Sequence, residues 1–361
     1  MDRRRFLSLT AATGLAGCAA EAPPLEHAPA LEHAPAPAGA LTKIGIASCA
    51  DQSRPQPLWD TVLADRPDLF IFAGDNVYSS AQPFSIDALR EAYRVEAAVP
   101  GFARLRAAVP HMATWDDNDY GRNDGGAEFE FKQAAKDAFL DFWHAPASDV
   151  RRTREGIHDA RLFGPAAQRV QVIMLDTRWF RSAWRVTDAR NAPGKERYLP
   201  DLDPAKTMLG EAQWRWLEAQ LRQPAQLRLI VSGIQVIVEG HGWERWGNFP
   251  LERRRLLRLI RETRAEGVVL LSGDRHFGAI YKESADAPYP LYELTSSGVT
   301  HPWAQAKEAG PNRLGELFTE IHYGTVEIAW AARVLSLHLK DIHGTVRRSQ
   351  AIHFDDLKVQ A

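Results

Sequence analysis

Four short stretches set carboxylates beside softer donors, each directly behind an apolar run: Ser48-Cys49-Ala50-Asp51-Gln52, Gly74-Asp75-Asn76-Val77-Tyr78, Trp115-Asp116-Asp117-Asn118-Asp119-Tyr120 and Ser272-Gly273-Asp274-Arg275-His276. One such stretch is ordinary turn chemistry, because Asp and Gly commonly end strands. Four in order are a pattern. Aspartates gathered in one place repel each other, so they need a cation or shifted proton affinities, and a cation is the simpler solution. The bland alternatives are a buried Cys49, a strand-end Tyr78 and a turn-capping Asp117.

The elements that must bring these stretches together are legible from hydrophobic patterning. From Leu41 onward, short apolar runs alternate with longer amphipathic stretches, the pattern of an α/β domain. Lys43 to Ser48, Asp68 to Ala73, His111 to Trp115, Gln171 to Leu175, Leu227 to Val231 and Gly267 to Leu271 read as strands. Pro57 to Asp65, Ser85 to Ala98, Phe102 to Ala108, Glu128 to Trp143 and Glu211 to Leu221 read as helices. A loop region follows Leu175, with Pro193, Gly194 and Pro200, and looks like an insertion; loops this long are usually functional or mobile. Strand pairs between Leu291 and Phe354 predict two stacked mixed sheets flanked by helices, with residues 41–361 as one domain. Sites in α/β sheets form at the carboxyl ends of strands, which is where the four stretches fall.

Further segments join these in order: Leu-Asp-Thr-Arg at 175–178, Gly-Glu-Ala-Gln-Trp at 210–214, Ser-Gly-Ile-Gln-Val at 232–236, Trp-Gly-Asn-Phe-Pro at 246–250 and Glu-Leu-Thr-Ser-Ser-Gly-Val-Thr-His at 293–301. With Gly-Asp-Asn-Val-Tyr and Ser-Gly-Asp-Arg-His-Phe, the set resembles the PhoD-like (alkaline phosphatase D) family of the calcineurin-like metallophosphoesterase superfamily. The resemblance implies a metal pair bridged by Asp75. Cys49, Tyr78 and His276 would complete the first site, and Asp117 and Asp274 the second, with Asp116 as runner-up. Thiolate, phenolate and carboxylate together suit Fe(III), and an all-oxygen neighbour suits Ca or another hard divalent ion. The implied activity is hydrolysis of phosphate monoesters or diesters, with hydroxide drawn from bound water. The family usually carries histidine where this chain has Asn118, which can hydrogen-bond the phosphoryl group but cannot deliver a proton.

Other residues stay open. Arg178 can clamp a phosphate oxygen bidentately or pair with Asp176 or a neighbouring acid. Gln235 stands where related proteins carry a histidine ligand, and a buried hydrogen-bonding role fits it equally. Trp243, Trp246 and Asn248 are candidates for the pocket mouth, with core packing as the alternative for the tryptophans. His241, His301 and His322 have no clear role. A serine hydrolase lacks its Gly-x-Ser-x-Gly elbow. The competing class is a non-catalytic surface lipoprotein that captures phosphorylated ligands.

Composition is that of a globular protein: 45% hydrophobic and 25% charged among 361 residues. A net charge of -2, from 44 basic and 46 acidic residues, gives no broad attraction for nucleic acid or anionic lipid. A small-molecule phosphate ester is the expected partner. The N-terminus departs from this picture. Arg3-Arg4-Arg5-Phe6-Leu7, a short apolar stretch and Leu15-Ala16-Gly17-Cys18 read as an export signal, too short to span a bilayer. Residues 1–17 resemble a twin-arginine signal ending in a lipobox, with Cys18 acylated as the membrane anchor. The expected location is the periplasm or cell surface, and Ala19 points weakly to the outer membrane. Residues 18–40, with Leu-Glu-His-Ala-Pro-Ala twice, read as a Pro/Ala-rich spacer. The remaining cysteine, Cys49, then has no disulfide partner and is either buried or bound.

Overall fold

The computed structural model describes residue 37 and residues 39–79 and 83–359. The export signal, Cys18 and nearly all of the spacer lie outside these residues. In chain order the strands are β1 (Lys43–Ala47), β2 (Leu69–Ala73), β3 (His111–Thr114), β4 (Asp159–Phe163), β5 (Val170–Met174), β6 (Leu227–Ser232), β7 (Val268–Ser272), β8 (Gly278–Glu283), β9 (Leu291–Ser296), β10 (His322–Ala329), β11 (Val334–Asp341) and β12 (Val346–His353). The helices are α1 (Leu58–Asp65), α2 (Ile86–Ala97), α3 (Pro100–Ala108), the single turn α4 (Asp117–Tyr120), α5 (Lys132–Phe142), α6 (Gly210–Leu221) and α7 (Pro250–Glu262).

Two six-stranded mixed sheets result. One runs β12-β11-β10-β1-β2-β3 and the other β4-β5-β6-β7-β9-β8. β1, β2 and β3 are mutually parallel, as are β5, β6, β7 and β9, while β10 and β8 add antiparallel neighbours. Alternation along β1 and β2 assigns the faces. Ile44, Ile46, Leu69 and Ile71 join the core shared with the second sheet, whereas Phe70 and Phe72 point into the helical layer. There Phe72 meets Trp59 of α1 at 6.0 Å, Phe102 of α3 at 5.4 Å and Trp143 at 4.8 Å between ring centroids. Burial of such rings dominates core energetics. β5, β6 and β7 are buried at every position, which is why they read as mainly apolar runs, broken only by Gln171 in β5 and by Arg228 and the terminal serines of β6 and β7. Trp214, Leu217 and Leu221 of α6 pack on the same core, as their spacing predicts.

The sequence reading overlooked β4, β8 and α7 and overextended α5. β4 is an edge strand whose Arg161 and Leu162 are exposed, so it carries no apolar run to find. From Leu175 to Leu209 there is neither helix nor named strand, only isolated bridges such as Val186 with Tyr198.

One buried acid in the helical layer sets a pH dependence. Glu96 of α2 accepts from Gln56 Nε2 at 2.6 Å, and its Oε1 has no partner. Burial above all pushes this carboxyl up from the ordinary 4.5 to about 8. Across that window the folded chain keeps a proton that the unfolded chain has released, so stability falls as pH rises. Glu96→Gln is expected to remove this contribution: between about pH 6 and about pH 9 the parent should lose about 3 kcal/mol more than the variant in urea unfolding. Parallel losses would contradict the assignment.

Candidate metal centre

The loops behind β2, β3 and β7 line one cavity of about 280 Å³, with Asp75, Asp117, Asn118, Asp274 and His276 among its residues, while Cys49, Tyr78 and Asp116 lie outside the lining. Cys49, Asp75, Asp274 and His276 all hold positive φ, at 64°, 49°, 69° and 55°. Non-glycine residues rarely adopt this backbone, and such strain concentrates at functional sites. Gly74, at φ 99°, is required by contact: a Cβ there would lie 2.6 Å from that of Asp116. The tight turn lets the end of β2 approach the end of β3.

Asp75 is the hub. Cys49 Sγ lies 3.6 Å from its Oδ2, Tyr78 OH donates to the same oxygen at 3.1 Å, and Asn118 N donates to Oδ1 at 3.1 Å. Tyr78 OH is also 3.2 Å from His276 Nε2. Cys49, Asp75 and His276 offer donor atoms all within 4.8 Å of one another, and so do Asp75, Asp116 and Asp117. Asp274 lines the same cavity but belongs to neither group. A further group, Asp117, Asp124 and Glu244, adjoins them.

Electrostatics and unmet hydrogen bonds both call for positive charge. Burial, then Asp117, Asp116, Asp119 and Asp274, push the Asp75 carboxyl well above its ordinary range. Burial and Asp75 do the same to the Cys49 thiol. Asp116 Oδ2 and Asp274 Oδ2 are buried without a hydrogen-bond partner, a costly state for a carboxylate, though Arg275 Nη1 stands 3.8 Å from Asp274 Oδ2. Burial, then His301 and Arg275, hold His276 down to about 3, leaving a neutral imidazole with a lone pair to offer. The residues present therefore fit one mixed thiolate, phenolate, imidazole and carboxylate pocket and one all-oxygen pocket, with Asp75 common to both.

Arg178 does not line the cavity. It is fully buried behind it, where Nε and Nη2 donate to Asp116 Oδ1 at 2.8 and 2.6 Å, and Nη1 and Nη2 donate to Glu244 at 2.8 Å each. Of the two roles its sequence context allows, the ion pair is the one formed, with Asp116 and Glu244 as partners. Gln235 is equally committed, donating to Tyr281 OH and Thr295 Oγ1 and facing His241 Nε2 at 3.2 Å. Trp243 reaches the cavity, whereas Trp246 is core and Asn248 donates to Trp243 O.

The sequence reading missed Ser297, Asp119, Asp124, Glu244 and Arg197. His276 N donates to Ser297 Oγ at 2.7 Å, so the serine proton is free to point at Cys49 Sγ, 2.9 Å away. Asp119 accepts from the backbone N of Asp75, Asn76 and Asp116 and ties two ligand loops together. Its signal was the acid three residues after Asp116, a helix-start spacing. Nothing local marked Ser297 or Glu244. A second cavity, of about 270 Å³, opens at the opposite end of β3 beside His111, Arg151 and Asp159; Arg151 there is paired with Asp149 and Asp159.

Two mixed sheets with flanking helices and an acidic cleft at the strand ends define a metallophosphoesterase-type protein. The chain belongs to the PhoD-like phosphatase family, whose model matches residues 44–320. Alkaline phosphatase D of Bacillus subtilis strain 168 is 23% identical over 240 residues, 61% of this chain and 40% of that protein, so the match spans less than half of the relative's length. The solved structure of PhoD superposes with a TM-score of 0.72 at 16% identity, covering 91% of this chain and 72% of its own. Purple acid phosphatase PPD1 from yellow lupin (Lupinus luteus) seeds gives 0.59 at 11% identity, covering 88% and 55%. At these identities the two structures speak for the fold.

Proposed function

We propose that the chain hydrolyses phosphate monoesters, phosphate diesters or both, in a metal-dependent reaction. The observation that carries this is the sharing of Asp75, which lines the cavity, between two donor groups. Cys49, Asp75, Tyr78 and His276 would hold Fe(III), and Asp117 and Asp274, with Asp116, a divalent ion such as Ca. Bound there, the cations supply Lewis acidity toward phosphoryl oxygen and a nucleophile near neutral pH. The chain supplies the rest: Asn118 N fixes Asp75, and Asn118 Nδ2, which donates to Asp117 Oδ1 at 2.8 Å, edges the cavity where it can meet a phosphoryl oxygen. The purified protein should hydrolyse an aryl phosphate monoester or diester and lose that activity on chelation. Binding without turnover would instead favour a non-catalytic capture protein.

Two variants probe the residues. Tyr78→Phe should abolish a phenolate-to-iron absorption band in the visible spectrum, while iron content falls by less than the colour does; an unchanged band would remove Tyr78 from the iron site. Asn118→His introduces a group able to protonate a leaving oxygen, an effect typically worth about 10²-fold or more. Turnover of alkyl esters should rise more than that of aryl esters, and equal changes would count against a leaving-group role at this position.

Export through the twin-arginine route and acylation at Cys18 remain part of the proposal on sequence grounds. The pathway carries folded proteins and so permits metal loading before export. The mass of the mature N-terminus tests it: an acylated Cys18 supports the anchor, and an unmodified residue removes it.

A further inference from the structure

Part of the cavity lining has a different chemistry. Trp243 carries the guanidinium of Arg197 over its ring at 5.2 Å and that of Arg275 at 5.1 Å, and Trp303 stands edge-on to it at 6.1 Å. Arg275 is committed, paired with Glu308 and close to Asp274. Arg197 is not: among the described residues no carboxylate lies within ion-pair distance, and its Nε is buried without an acceptor. A guanidinium that lines the cavity without a carboxylate partner is available to an anionic group of a ligand. Trp303 is 37% exposed, among the few large apolar side chains left open to solvent.

This wall is fixed to the candidate metal loops. Trp303 N donates to His276 O at 2.6 Å, and Arg197 N and Tyr198 N both donate to Gly242 O, at 3.0 and 2.7 Å. The long segment after β5 thus delivers Arg197 to the edge of Trp243. The exposed ring of Trp303, edge-on to a Trp243 that carries guanidinium charge, suits a planar anionic group. Asn118, which lines the same cavity, cannot transfer a proton to a leaving oxygen.

We propose that Arg197, Trp243 and Trp303 form a leaving-group subsite for aryl phosphate esters, in which the departing aryl oxide stacks on the exposed ring of Trp303 and its charge is met by Arg197, which Trp243 supports. The proposal rests on the hydrolytic reading above. In the step, water oxygen forms the new bond to phosphorus and the P–O(aryl) bond breaks. The bonding pair leaves on the aryl oxygen, and the proton from water passes to solvent. The aryl oxide departs as an anion, so protonation is dispensable, and the two features of the cavity answer one requirement. Aliphatic alkoxides, which need a proton and cannot stack, are disfavoured by both.

The test compares phosphate esters of one acyl-free series, aryl against fluoroalkyl leaving groups of matched acidity, on the metal-loaded full chain. The parent should favour the aryl ester by about tenfold in kcat/KM, the size of a stacking and cation–π contribution. Trp303→Ala should collapse the ratio toward one, and Arg197→Gln should steepen the dependence of rate on leaving-group acidity. A ratio near one in the parent, or an unchanged ratio in Trp303→Ala, overturns the subsite while hydrolysis stands. Turnover of neither ester overturns both. Calorimetric binding of phenylphosphonate against methylphosphonate needs no turnover: about tenfold tighter binding of the phenyl compound, lost in Trp303→Ala, supports the subsite, and equal affinities overturn it.

Discussion

Asp75→Asn is expected to abolish hydrolysis and to strip both metals, because one carboxylate serves two donor groups. Its oxygens are divided: Oδ2 faces Cys49 and Tyr78, while Oδ1 meets the Asn118 amide beside Asp117. An amide keeps the shape but offers one neutral acceptor oxygen where two anionic ones are needed. The loss in kcat/KM should reach at least about a thousandfold, the upper end of what one missing oxyanion donor costs. Metal analysis separates this from a folding defect. Burial and then its acidic neighbours raise Asp75, so neutralising it relieves desolvation and repulsion in the protein without metal, and Asp75→Asn should melt no lower than the chelated parent. A variant that retains full complements of both metals would dissolve the shared-ligand model. Asp117→Asn makes the contrast, since that side chain belongs to the all-oxygen group and lies outside the thiolate group; iron should survive there and the divalent ion should not.

The contrast also shows what sequence can and cannot disclose about such a site. Cys49, Asp75, Asp117 and His276 were visible because each follows a strand whose apolar run is unmistakable, as in Leu69–Ala73 or Val268–Ser272. Parallel pairing then carries those ends to one edge of the sheets. Two stacked mixed sheets could be read from the same runs. Partners set by tertiary register left no local trace. Ser297 lies 248 residues from the cysteine it approaches, and in sequence it is one serine in a Ser-Ser-Gly turn. Arg197 sits in the irregular segment after β5, whose course depends on backbone bonds to Gly242. Arg178 was visible as a marked residue, but whether it faces substrate or acids depends on Glu244, whose position nothing nearby announces.

Arg178→Ala should therefore fail as a fold before it fails as a catalyst. The guanidinium is the positive centre of a buried triad with Asp116 and Glu244, both essentially without solvent exposure. Burial alone would raise Glu244, yet Arg178 and then Arg181 outweigh it and hold that carboxyl at about 2. Removing Arg178 leaves two carboxylates with too little countercharge, and breaking a buried pair in this way costs about 3–5 kcal/mol. Equilibrium denaturation of the metal-free protein should show a loss of this size. A drop below about 1 kcal/mol would mean that water or Arg181 replaces the lost donors. Arg178→Lys is the sharper probe. One ammonium keeps the charge but cannot present two parallel donors to Glu244 while reaching Asp116, so stability should recover in part. Asp116, released from its bidentate hold, should then turn its oxygens more freely toward Asp75 and Asp117, and affinity at the all-oxygen pocket should change while the thiolate pocket keeps its spectrum.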